Sequence, residues 1–298
     1  MRTRSMIFTL ALLILTIVYA SRLSHLISFS RQEGYGSYIV VAPAIAAYLI
    51  WTSRQKIFTS VAFSSVSASI TAICALLSFF SAIRYHSALS ENDYLSLTAL
   101  SFCLFVTAIF LASFGQKAFR AALFPAFMLF FFVPLPAELT ARIVALLQAG
   151  SATLVYWIFS ILQVPVLREG LVFTVPGVSI EIAAECSGIN SSMALLITSL
   201  LVADASFRRI SSKIIFVLTS LPLSILKNAI RIVTLTMLAT HVDMGFLTGK
   251  LHQRGGFLFF LLTLALMIPV WKLLLNREEA LFSKAHLLSA AGGATSSL

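Results

Sequence analysis

Three residues that could perform catalysis stand in the second half of the chain, each beside or within an apolar segment. Cys186 in AAECSGINSS precedes an apolar run. A thiol at the start of a helix lies at the positive end of the helix dipole, which favours the reactive thiolate. Arg231 lies inside the apolar run 213–240, where a cation is costly and usually faces a cavity or a partner. His252 in LHQRGGFLFF precedes the last apolar run, and an imidazole is the usual proton donor and acceptor near neutral pH.

A thiol, a guanidinium and an imidazole together make a nucleophile set. The guanidinium can stabilise the thiolate or a developing oxyanion, and the imidazole can protonate a leaving amine. His241 is the alternative to His252 for this proton transfer. The sequence contains no HExxH, no Asp pair within a span and no GxSxG, so we expect neither a metal nor another cofactor. The other cysteines, Cys74 and Cys103, lie within apolar runs, where a thiol behaves as a small buried hydrophobe.

Residues next to these three are expected to support them. Lys227 precedes Arg231 by four positions, so both side chains lie on one helix face with Asn228 beside them. Snorkelling to the membrane surface explains a lysine near the middle of a helix poorly. The remaining supporting candidates surround the cysteine: Glu185, Ser187 and Asn190.

The composition places these residues in a membrane protein. Of 298 residues, 59% are hydrophobic and 11% are charged, whereas soluble domains carry about 25% charged residues. This excludes a soluble enzyme, a disordered tail and a disulfide scaffold, and it predicts an all-α, polytopic integral membrane protein. The net charge of +10 comes from Lys and Arg in short loops, which is typical of orientation charges. We therefore expect contacts with membrane lipids and no binding of nucleic acid.

The apolar runs predict eight transmembrane helices, with ten as the alternative count, because a bilayer core of about 30 Å takes about 20 helical residues. The first could pass for a signal peptide but is more economically a retained helix. The eight runs are 6–20, 38–51, 57–83, 94–114, 120–134, 191–207, 213–240 and 257–275. The polar residues Arg142, Gln148, Ser151 and Gln163 interrupt a further stretch, 139–163, which predicts an interfacial or re-entrant helix. A short outer hairpin is expected over 164–185, from its Pro and Gly residues.

The positive charges orient these segments. More than half of the Lys and Arg residues fall in alternate short loops, which places both termini inside and puts Cys186 and His252 at the outer face. Arg231 stands nine residues before Thr240, so we expect it about 13 Å deeper than the end of its helix. It can meet the other two only in a pocket sunk into the outer leaflet, or if the helix ends early. Residues 1–275 are expected to form one membrane domain, and 276–298 a disordered cytoplasmic tail.

The strings AAECSGINSS, LKNAIRIVTL and HQRGGFLFF resemble the three motifs of the exosortase/archaeosortase family of membrane cysteine transpeptidases, in the same order and at similar spacing. The resemblance covers about 125–275. It implies that Cys186 attacks a peptide bond near the C-terminal sorting signal of an exported protein and forms a thioester, which a second nucleophile then resolves. Such a signal has a short motif such as Pro-Glu-Pro, an apolar helix and a basic end. The resemblance also implies essential roles for Arg231 and His252. Asn190 stands where many members carry arginine.

The same resemblance implies a bacterial cytoplasmic membrane protein whose partners are exported proteins, and it leaves open the acyl acceptor and the oligomeric state. An alternative is a non-enzymatic transporter or assembly component for extracellular polysaccharide, with Lys227 and Arg231 lining an anion path. A third hypothesis, a protease that cuts within membrane helices, requires a nucleophile deeper in the bilayer than we expect for Cys186.

Overall fold

Helices dominate the computed structural model of the protein, which describes residues 2–32, 36–59, 64–247 and 256–295. Within these residues, seven helices are long and apolar enough to cross a membrane. The predicted class, an all-α polytopic membrane protein, is therefore confirmed. The chain forms two compact units, Met1–Ala141 and Arg142–Leu298.

The described part of the first unit is helical. Its longest helices are joined at the buried hydroxyls of Tyr19 and Ser101, which are hydrogen bonded at 2.8 Å. The helices are α1 (Arg2–Gln32), α2 (Ser37–Thr52), α3 (Arg54–Ile57), α4 (Ser65–Arg84), α5 (Glu91–Ala121) and α6 (Leu123–Leu129), with a 3-10 turn at Phe130–Phe132.

Two of the predicted spans form shorter helices than expected. The run 38–51 lies in α2, which has 16 residues, and the run 120–134 yields α6 and the 3-10 turn after it. These two short segments pack against each other. A helix of 16 residues is about 24 Å long, which is less than the bilayer core of about 30 Å. The eight predicted spans therefore do not coincide with the candidate spans of the structure, although the predicted fold class agrees with it.

The stretch 139–163 forms α7 (Ala137–Ile161), which is one of the seven candidate spans by length and hydropathy. The sequence instead predicts an interfacial or re-entrant helix, because polar residues interrupt its apolar surface. Ser151 is fully buried on the inward face of α7, and Gln148 makes a partly buried hydrogen bond. The apolar residues of that buried face are Val144, Leu147, Ala152, Val155 and Phe159.

The second unit continues with a small sheet and three long helices. The strands β1 (Leu167–Glu169), β2 (Val172–Val175) and β3 (Val178–Glu181) form one antiparallel sheet in chain order, where the sequence predicts a hairpin. A 3-10 turn (Ala184–Ser187) leads into α8 (Ile189–Ser206), α9 (Ile210–His241), a 3-10 turn (Met244–Leu247) and α10 (Gly256–Thr295). The last helix thus includes residues 276–295 of the predicted tail.

The sheet is held by a hydrophobic core that it shares with α7 and α9. Phe173 is fully buried in this core, which places β2 against both helices. The other buried members are Ala152, Val155, Phe159, Val175, Val178, Ile182, Ala229 and Val233. This packing fixes the sheet and the segment after it on the C-terminal half of α9.

The turn between α8 and α9 is held by a carboxylate from α10. Glu278, 5% exposed, accepts hydrogen bonds from the backbone N–H groups of Arg208 and Arg209 at 3.1 and 3.0 Å. A carboxylate at the start of α9 complements the positive end of its dipole. The three helices of this unit pack around a second core that includes Leu195, Phe207, Phe216, Met267 and Leu274.

Candidate functional site

The register of the α8–α9 pair places the cysteine turn beside the predicted cations. Only Phe207, Arg208 and Arg209 separate the two helices, so residues at nearly equal distances from this turn lie at the same level. The ammonium of Lys227 accordingly donates a hydrogen bond to the hydroxyl of Ser191. Antiparallel pairing thus brings the start of α8 to the middle of α9.

Cys186 lies in the 3-10 turn that precedes α8. Its N–H donates to the carbonyl of Ala183 at 3.0 Å, and its side chain is half-buried. Gly188 then adopts a left-handed conformation with φ of 77° and begins α8. A Cβ at Gly188 would lie 3.1 Å from Oδ1 of Asn228, so this position requires glycine both for its backbone angle and for its close approach to α9.

Asn228 connects the cysteine turn to two helices. It is 1% exposed, and its Nδ2 donates to the carbonyl of Cys186 at 2.9 Å and to Oγ of Ser151 at 3.1 Å. The carbonyl can only accept, so the amide nitrogen must face Cys186, which fixes the orientation of the amide. Both hydrogens of the amide are used, one on the turn and one on α7.

A second contact from α7 holds the residues just before this turn. Nε2 of Gln148 donates to the carbonyl of Ile182 at 2.7 Å, and the N–H of Ile182 donates to the carbonyl of Leu171 at 3.0 Å. The helices α7 and α9 approach closely at Gly150, where a Cβ would lie 3.0 Å from the side chain of Ile225. A small residue at such a crossing allows two membrane helices to come together.

Lys227 and Arg231 supply the positive charge of the site. Lys227 is 3% exposed, and among the described residues no carboxylate forms an ion pair with its ammonium. Arg231 is half-buried one helical turn further along α9. Two cations on one buried face favour a negative group beside them, such as a thiolate or the oxyanion formed when a thiolate attacks a carbonyl.

The lengths of α8 and α9 explain why the cysteine turn lies beside the middle of α9. The 18 residues of α8 span about 27 Å, close to the bilayer core of about 30 Å, between the cysteine turn and the basic turn at Arg208. The 32 residues of α9 span about 48 Å, so α9 extends beyond the start of α8. The sequence measures the depth of Arg231 from Thr240. In the structure α9 ends at His241, so Arg231 does stand well before the helix end. The cysteine turn contacts α9 at Asn228, one helical turn before Arg231, and α9 does not end early.

The other predicted residues have different outcomes. His252 and the side chain of Glu185 lie outside the described residues. The buried Oγ of Ser187 and Oδ1 of Asn190 have no hydrogen-bond partner within the described part of the chain. The alternative imidazole, His241, is exposed and contacts the carbonyl of Met237 through Nδ1 at 3.0 Å. No group of three potential metal ligands occurs among residues the structure describes.

Two residues of the site, Ser151 and Gln148, lie outside the sequence motifs and contact the residues around the cysteine turn. A third, Ser191, lies within AAECSGINSS, but the sequence does not single it out as the partner of Lys227. The signal for the α7 pair is present in the sequence, since both interrupt an apolar stretch. In the sequence, this interruption argues against a spanning helix. In the structure, both residues instead make contacts to the site.

The fold and this site define a polytopic membrane protein in which a cysteine turn at the start of a helix is hydrogen bonded to a second helix that carries two cations. A family model described as transmembrane exosortase matches residues 30–269. The chain belongs to this family. No curated protein and no solved structure matches it.

Proposed function

We propose that this transmembrane exosortase is a cysteine transpeptidase that cleaves the C-terminal sorting signal of exported proteins at the outer face of a bacterial cytoplasmic membrane. The observation that carries the proposal is the hydrogen bond from Asn228 to the carbonyl of Cys186. It holds the thiol-bearing turn against the face of α9 that carries Lys227 and Arg231.

The reaction follows from the groups assembled there. The thiolate of Cys186 attacks the carbonyl carbon of the scissile peptide bond, and the negative charge moves to the carbonyl oxygen, which the cations of α9 stabilise. The C–N bond then breaks, and the leaving amine takes a proton from His252. A thioester remains on Cys186. An acceptor nucleophile, either water or a lipid or glycan group, attacks the thioester, gives its proton to the now neutral His252 and releases the thiolate.

The substrate geometry agrees with this position of the thiol. The apolar helix of a sorting signal would lie in the bilayer with its basic end inside and its recognition motif at the outer interface. The 18 residues of α8 place Cys186 about one bilayer thickness from the basic turn at Arg208 and Arg209. The thiol and the motif of the substrate would therefore lie at the same depth.

A transporter or assembly component for extracellular polysaccharide is the competing proposal. It requires Lys227 and Arg231 to line an open anion path. The ammonium of Lys227 is instead buried and bonded to Ser191, which favours a closed site. The transport hypothesis also gives Cys186 no role.

The experiment that tests the proposed function is co-expression of the protein with an exported reporter ending in a Pro-Glu-Pro motif, an apolar helix and a basic tail. We expect wild type to shorten the reporter and Cys186→Ala to leave it intact. Cys74→Ala is the matched control, because Cys74 is exposed on α4, in the other compact unit, and should process like wild type. Processing that persists in Cys186→Ala would overturn the proposal, and so would an inactive Cys74→Ala protein that folds normally.

A further inference from the structure

The polar residues of α7 contact the segment that carries the nucleophile. Gln148 donates to the carbonyl of Ile182, four residues before Cys186, at 2.7 Å. Ser151, which is 0% exposed, accepts from the amide of Asn228 at 3.1 Å, and the same amide holds the carbonyl of Cys186. The turn is thus held before the cysteine by Gln148, and at the cysteine through Asn228.

We infer that Gln148 and Ser151 are positioning residues for Cys186, so that α7 sets the place of the nucleophile although it carries none of the three motifs. This inference rests on the proposed function, because a position matters only if Cys186 reacts. We call Gln148, Ser151 and Asn228 together the α7 brace.

Ser151 acts through the amide of Asn228, whereas Gln148 holds Ile182 directly. The two hydrogens of the Asn228 amide bond Cys186 and Ser151, so loss of the Ser151 hydroxyl leaves one buried N–H without an acceptor. A buried amide in that position gains by rotating or shifting towards another acceptor, and either movement shifts the carbonyl of Cys186. Displacement of a reacting group by about 1 Å can cost about a hundredfold in rate.

The hydrophobic core around the brace supports a positioning role over a purely structural one. Ala152, Val155 and Phe159 already hold α7 against the sheet and α9 without any polar contact. Gln148 and Ser151 are therefore not required to attach α7. What they add is direction, because a hydrogen bond defines a distance and an angle that apolar packing does not.

Two other hydroxyls on the same helix provide matched controls. Thr153 donates to the carbonyl of Ala149 at 3.0 Å and Ser160 to that of Tyr156 at 2.8 Å. Both side chains are exposed and bond only to their own helix. Replacing them removes a hydroxyl from α7 without touching the brace.

The test compares Ser151→Ala and Gln148→Leu with Ser160→Ala and Thr153→Val, using purified protein and the reporter signal. We expect kcat per folded molecule to fall about tenfold or more in the two brace variants, with KM unchanged, since binding of the substrate is not altered. The two control variants should match wild type. In an Asn228→Ala background, Ser151→Ala should cause no further loss, because Ser151 acts through that amide.

A second measurement keeps the proposal testable if the reporter is not cleaved at all. The alkylation rate of Cys186 by iodoacetamide in the folded protein is divided by its rate in the same protein unfolded in denaturant, by mass spectrometry of the labelled peptide. We expect this ratio to rise about threefold or more in Ser151→Ala, because release of the turn exposes a half-buried thiol, and to stay unchanged in Ser160→Ala. Wild-type ratios and wild-type kcat in both brace variants would overturn the inference and leave the proposed function standing. An uncleaved reporter with an altered ratio would overturn the proposed function, and with it the catalytic meaning of the inference, while the hold of α7 on the cysteine turn would stand.

Discussion

The side-chain amide of Asn228 donates a hydrogen bond to the main-chain carbonyl of Cys186 over 2.9 Å. The two residues are 42 positions apart in the chain, and the short α8–α9 turn brings them level. Because Asn228 lies between Lys227 and Arg231 on α9, this single contact fixes the thiol-bearing turn relative to both cations.

The left-handed glycine after the cysteine gives the first prediction. Gly188→Ala should destabilise the protein by about 1–2 kcal/mol for its backbone angle alone, and the new Cβ would also press on Asn228. Gly170→Ala is the matched control, since Gly170 has φ of 64° and nothing within 4 Å of its Cβ position. The unfolding temperature and the extent of reporter processing should both fall further in Gly188→Ala than in Gly170→Ala. Equal effects of the two changes would show that the approach to Asn228 is unimportant.

The buried lysine gives the second prediction. Lys227→Met keeps the length of the side chain and removes a buried charge, so the free energy of unfolding should stay the same or rise. Processing should nevertheless fall about a hundredfold, because a cation near the developing oxyanion is lost. Lys213→Met serves as control, since Lys213 pairs with Asp204 at 2.6 Å near the basic turn. Full processing by Lys227→Met would remove Lys227 from the proposed site.

Much of this arrangement follows from the sequence, for physical reasons. Hydropathy identifies a polytopic helical protein because spans must satisfy their backbone groups internally. The position of Cys186 along α9 could also have been predicted. Only three residues separate α8 and α9, so the two helices can pair in few registers. Counting from Thr240 instead leaves this register out, because α9, with 32 residues, extends beyond the start of α8.

The other features of the fold and the site depend on contacts between segments that are distant in the chain. The spacing of residues in the sequence does not reveal such contacts. A polar residue in an apolar stretch, such as Ser151, has the same pattern whether it faces lipid headgroups or a buried amide. The short helices α2 and α6 are a similar case. Their apolar runs resemble spans, and only their packing against each other explains how shorter segments are accommodated.

The carboxylate at the basic turn gives the third prediction, which concerns stability and leaves the site intact. Glu278→Gln should lower the free energy of unfolding by about 1–3 kcal/mol, because the amide can accept only on its oxygen side and turns its NH₂ towards one backbone N–H. Its neighbour Glu279 is exposed, so Glu279→Gln should unfold at the wild-type temperature. Processing per folded molecule should be unchanged in both variants. Identical unfolding temperatures for the two variants would contradict the role given to Glu278.

The most direct test of the central claim is detection of the acyl-enzyme. Purified protein is mixed with a peptide carrying the sorting signal, quenched in acid and digested, and the peptide containing Cys186 is weighed by mass spectrometry. The account predicts an added mass equal to the N-terminal part of the substrate, labile to hydroxylamine as a thioester is, and absent from Cys186→Ala. An adduct on another residue, or cleavage by wild type accompanied by equal cleavage in Cys186→Ala, would contradict it.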